Sequence, residues 1–159
     1  MGIDRRIFML AASAGLFHAG TAHANDTYLD RTTFEFQKFY ERWKLDSNAR
    51  LEAFLDALIQ FASDILISAA GATDGVLAEA FVTLEGAEST LNAIEQIVDR
   101  SHPLHPKVQA ARRLYNDAMQ LMLRTAASRG LTAADLRKLA EKGPSKEVPP
   151  IVLDQRPDA

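Results

Sequence analysis

A chain of 159 residues with 47% apolar and 25% charged side chains has the size of one domain and enough apolar material for a core. Its formal net charge of -3 and mean hydropathy of -0.12 argue against a basic nucleic-acid binder and against a chain disordered throughout. The sequence has no cysteine, which excludes disulfides, thiol catalysis and cysteine-ligated zinc.

Residues 1–24 differ in character from everything after them. Arg5 and Arg6 open a short charged region, and an apolar stretch rich in Ala, Gly and Ser runs from Ile7 to Phe17. Ala22-His23-Ala24 ends it with the small-x-small pattern that a signal peptidase cuts, here before Asn25. The stretch is shorter than the roughly 20 apolar residues of a membrane helix. The next comparably apolar run carries acids, so no stable span is expected after cleavage. Arg5-Arg6-Ile7-Phe8-Met9 resembles the bacterial twin-arginine export signal, in which two arginines precede any residue and then Phe-Leu. Asp4 stands where that pattern usually has Ser or Thr, and no Lys or Arg lies just before the cut. The resemblance implies a periplasmic or secreted protein that folds before it crosses the membrane, which suits a chain without disulfides.

The expected mature chain reads as all-α: an antiparallel bundle of four to five helices over residues 25–143, with a Pro-rich flexible tail over 144–159. The first element is aromatic. Six of the ten aromatics left after cleavage fall between Tyr28 and Trp43, and Phe36, Phe39, Tyr40 and Trp43 share one helical face. Large rings at that spacing predict core packing first and a partner groove or apolar-ligand pocket second. Phe34 lies off the face, which leaves aromatic surface for a partner. This helix either runs on into the next or breaks at Asp46-Ser47.

Three long amphipathic segments follow. Leu51, Phe54, Leu55, Leu58, Ile59, Ala62, Ile65, Leu66 and Ala69 mark the first, with Asp46, Ser47 and Asn48 as candidate N-caps and Gly71 as a stop. The second is marked by Leu77, Ala80, Phe81, Leu84, Leu91, Ile94 and Val98 and is entered through Thr73-Asp74-Gly75. The third is marked by Val108, Ala111, Tyr115, Ala118, Met119, Met122 and Ala126; Pro106 fits its first helical position and Gly130 its end. Short connections force such segments to alternate in direction. A fourth, short helix has the densest local grammar. Thr132 and Asp135 form a capping-box variant, Leu131 and Leu136 a hydrophobic staple, and Gly143-Pro144 a stop.

Charge divides the chain. From Glu52 to Asp99 there are nine acids and no Lys or Arg; from Arg100 to Lys146 there are ten basic residues against three acids. Either the two halves pair inside the fold, or they form a dipolar surface that steers a charged partner.

His102 and His105 are the only histidines beyond the signal, three apart in the turn between the second and third long segments. With Asp99 they make the one candidate metal site, for zinc or copper, although each histidine precedes a proline and sits in a turn. His105 is also placed to cap the following helix. Glu85 with Glu88, and Glu95 with Asp99, are acid pairs of the kind that cleave glycosidic bonds, and equally the solvated face of a helix. Met119 and Met122 fit the apolar face of the third segment better than a haem axis. No catalytic triad, phosphate loop or cofactor motif is present.

The expectation is an exported, non-enzymatic helical protein with no cofactor. It would bind a protein partner in the periplasm as an inhibitor, an immunity protein or an accessory, chaperone-like subunit. Phe34, Phe36, Phe39, Tyr40 and Trp43 are the candidate contact residues. A homo-oligomer is compatible with this reading; nucleic acid is not. The rival expectations are a bundle that holds a metal or apolar cofactor, and a cell-wall hydrolase using paired carboxylates.

Overall fold

A computed structural model describes residues 22–142. The charged and apolar regions of the expected export signal, and the expected Pro-rich tail, lie outside the described residues. Among the described residues six α-helices form an all-α bundle: α1 Ala22–Arg42, α2 Asn48–Ser68, α3 Asp74–Gly86, α4 Glu88–Ile97, α5 His105–Ser128 and α6 Ala133–Lys142. The expected cut before Asn25 falls in the first turn of α1.

The helix boundaries follow local chemistry. After α1 the chain breaks, and Ser47, in extended conformation, caps α2 by accepting the Arg50 N–H. A single 3-10 turn, Ala69–Gly71, finishes α2, and Thr73 caps α3 by accepting the Val76 N–H. Gly130, at φ 78°, turns the chain after α5; this left-handed backbone favours a residue without Cβ. The Thr132 N–H donates to Asp135 Oδ2 at 2.9 Å, and the Asp135 N–H donates to Thr132 Oγ1 at 3.1 Å, which completes the expected capping box of α6.

Two expectations are corrected. The second long segment is two helices, because the chain breaks at Gly86-Ala87 with Ala87 at φ -85° and ψ -6°. Leu84 and Leu91 both stay buried across the break, so the apolar rhythm conceals it. His105 is not a cap: it is the first residue of α5, the cap position is Leu104, and no side chain caps there.

Hydrogen bonds and ion pairs fix the helix directions. Tyr28, early in α1, bonds Asp64, late in α2, while Trp43, just past α1, bonds Arg50 at the start of α2. These two helices are antiparallel. Lys107, early in α5, reaches Glu52 and Asp56, and Arg129, after its end, reaches Ala70 and Asp74. α5 therefore runs in the same direction as α2, with the α3–α4 arm returning between them in sequence.

α2 is the most apolar of the long helices. Phe54, Leu55, Leu58, Phe61 and Ile65 bury along it, and the helix packs mainly against α5 and α1. Its apolarity exceeds what the sequence reading allowed: Asn48–Gly71 is long and apolar enough to cross a membrane, with a mean hydropathy of 1.5 in its richest window. Half of that window is buried inside the bundle, so core packing accounts for much of its apolar character.

Candidate functional site

The aromatic stripe of α1 is built into the core from one side. Phe36 is 4% exposed and stacks on Phe61, with ring centres 4.9 Å apart. Phe39, Tyr40 and Trp43 are half-buried and pack on the same cluster. Trp43 lies 5.0 Å from Phe54, and Tyr40 lies 6.0 Å from it. The polar handles are also used: Trp43 Nε1 donates to the Arg50 carbonyl at 2.6 Å, and the Tyr40 and Thr90 hydroxyls bond each other. Next to this cluster Leu45 is 41% exposed. Phe34 is half-buried apart from the stripe, with Lys38 Nζ 5.8 Å from its ring centre.

Buried polar groups hold α1 in register. The Tyr28 hydroxyl donates to Asp64 Oδ1 at 2.7 Å, and Gln60 donates to the same oxygen at 3.0 Å. Gln37 Nε2 donates to Glu79 Oε2 and to Thr83 Oγ1. Residues 36 and 42 positions apart are joined here, so no sequence window shows the seam.

The charge division is met inside the fold. Lys107 takes Glu52 and Asp56, Arg112 takes Glu88 and Glu95, Arg129 takes Asp74, and Arg137 takes Glu85. Six of the nine acids of the acidic half thus pair with basic residues of the other half. The hydrogen bond from Arg112 to Glu95 raises the Arg112 pKa further above its ordinary value. Exposed pairs of this kind contribute at most about 1 kcal/mol each.

The acid pairs read from the sequence are separated by these partners. Glu85 is bound by Arg137 at 2.7 Å, whereas Glu88 faces Arg112. Glu95 receives two hydrogen bonds from Arg112, whereas Asp99 accepts from the backbone N–H and the hydroxyl of Ser101. The Ser101 hydrogen bonds lower the Asp99 pKa. In the same turn, His102 Nδ1 accepts the Leu104 N–H at 3.0 Å. Asp99 and His102 are thus both engaged in forming the turn. Among the described residues no three His, Cys, Asp or Glu side chains gather as a metal-binding group. Met122 is fully buried, and Met119 packs against the core.

An open groove of about 590 Å³ lies between α4 and α5, and no sequence pattern marks it. Its lining includes Val98, His105, Val108, Gln109, Arg113 and Asn116. His105, a candidate metal ligand, lines this groove, and its Nδ1 is buried without a partner. The lining comes from two helices joined by a turn, so a one-helix pattern does not reveal it.

The fold and site define an all-α bundle with an aromatic edge and a groove of mixed polarity. No protein-family model matches the chain, and comparison with curated proteins and with solved structures returns no match.

Proposed function

We propose that this chain is an exported, non-enzymatic helical protein that binds a protein partner in the periplasm, as an inhibitor, an immunity protein or an accessory, chaperone-like subunit. The supporting observation is the aromatic edge at the α1–α2 corner. Phe39, Tyr40 and Trp43 are half-buried, and the rings of Phe36 and Phe54 hold them from behind. Leu45, 41% exposed, carries the apolar surface into the loop. Rings fixed in this way have little side-chain freedom left to lose on binding, and aromatic residues dominate protein-binding hot spots. Steering by a chain-wide dipole is the weaker basis, because the two charge blocks are largely spent on each other.

A photo-crosslinking residue placed at Leu45 in living cells tests this reading, with the exposed Gln120 of α5 as the control position. The expected result is a discrete adduct from position 45 and none from position 120. The adduct should disappear in a Phe39→Ala, Trp43→Ala background whose helicity by circular dichroism is retained. A persistent adduct in that folded background, or none in the unaltered one, contradicts the reading.

A further inference from the structure

α1 and α6 pack on α3 from two sides and run in its direction. On one side Gln37 bonds Glu79 and Thr83, and Tyr40 bonds Thr90 just past the end of α3. On the other, Arg129, ahead of α6, reaches Asp74 at the start of α3, and Arg137 reaches Glu85 near its end. Lys142, the last residue of α6, therefore lies at the end of the bundle that carries Tyr40, Trp43 and the exposed Leu45. Beyond Lys142 the sequence has one apolar run, Val148-Pro149-Pro150-Ile151-Val152-Leu153, closed by Asp154. Nine residues lead from Lys142 to Ile151, which extended chain spans in about 30 Å. Two helix spacings, about 20 Å, separate α6 from α1 across α3, so the run reaches the aromatic edge. The apolar segment ahead of α1 starts from the wrong end: Ala22 is 21 helical residues, about 30 Å, from Arg42.

We infer that residues 148–153 lie on the aromatic edge of their own chain, as a strap over the half-buried Phe39, Tyr40 and Trp43 and the exposed Leu45. Consecutive prolines hold an extended backbone that loses little freedom on docking, and aromatic rings are the surface such segments recognise. Ile151, Val152 and Leu153 cover the apolar surface that continues into Leu45. Asp154 comes to the basic rim of Arg42 and Lys44, which are exposed and make no ion pair among the described residues. The tether holds the run near the edge at a roughly millimolar effective concentration, so a weak contact suffices. The strap forms without any partner, and a partner that takes the same edge must displace it.

Trp43 is the only tryptophan in the chain, so its fluorescence reads the edge directly. The full chain is compared with an Ile151→Ser, Val152→Ser, Leu153→Ser variant by acrylamide quenching. The expected result is quenching about twofold stronger in the variant, with emission shifted to the red, and values independent of chain concentration. Leu45→Glu, a change at an exposed loop residue, should raise quenching as much, and the combined variant no further, because both remove one contact. Unchanged circular dichroism verifies the fold of each. Equal quenching of the full chain and the serine variant overturns the inference. So do additive effects of the two changes, or protection that grows with concentration, which assigns the strap to a second copy. The purified chain is used throughout, so failure here leaves the crosslinking test of the partner standing.

Discussion

Phe54 has no exposed surface and meets the rings of Phe36, Tyr40 and Trp43 from α2. Removing its ring takes away both buried area and the support behind the aromatic edge. Phe54→Ala should therefore lower the unfolding free energy by about 3–5 kcal/mol, measured by urea denaturation. A loss under about 1 kcal/mol would mean that the ring is not packed as described. Tyr115 supplies a pH-dependent term. Burial, assisted by the nearby Glu88 carboxylate, raises the pKa of its phenol. The folded state thus favours the neutral phenol. Its contribution is fully present below the unfolded pKa of about 10 and is lost as pH rises beyond that value. Lys107, whose pKa is raised by hydrogen bonds to Asp56 and then Glu52, adds a loss of the same sign in the alkaline range. Tyr115→Phe should therefore flatten, without abolishing, the fall in stability between pH 9 and 11. An unchanged alkaline slope in the variant would reject the assignment.

At the scale of elements, short-range chemistry accounts for most boundaries. Ser47, Thr73, Thr132 with Asp135, and Gly130 each act within three or four residues of where they stand, so the sequence displays them directly. The α3–α4 break was not legible for the opposite reason. No side chain caps α4, and the buried Leu84, Leu91 and Ile94 keep a helical spacing through the junction. Two glycines near helix ends should respond with opposite sign. Gly86 is not at positive φ, and an added Cβ there meets nothing within 4 Å, so Gly86→Ala should stabilise by about 0.5–1 kcal/mol. Gly130 has the same open space but a φ of 78°, so Gly130→Ala should destabilise by about 1–2 kcal/mol. Thermal melts of both variants decide the matter; equal signs would contradict the assigned backbone conformations. The seam under α1 was equally invisible in the sequence. Tyr28 with Asp64 and Gln37 with Glu79 become neighbours only when α1 lies down on α2 and α3.

At the scale of the molecule, the two charge blocks and the aromatic stripe were plain in the sequence, but their uses were not. The acidic and basic halves meet because α5 runs alongside α2 and beside α4, and tertiary packing decides that. The same packing buries Phe36 and leaves Phe39, Tyr40 and Trp43 at the rim. The groove needed the end of α4 to stand beside the first turns of α5, so it emerged only from the assembled fold.

We propose that this bundle works outside the cytoplasm, carried there by residues that include Arg5 and Arg6. Fractionation of bacterial cells followed by intact-mass measurement of the recovered chain tests it most directly. The expected result is a periplasmic chain whose mass corresponds to residues 25–159, and a full-length cytoplasmic chain for the Arg5→Lys, Arg6→Lys variant. A full-length, unvaried chain found in the cytoplasm would contradict it.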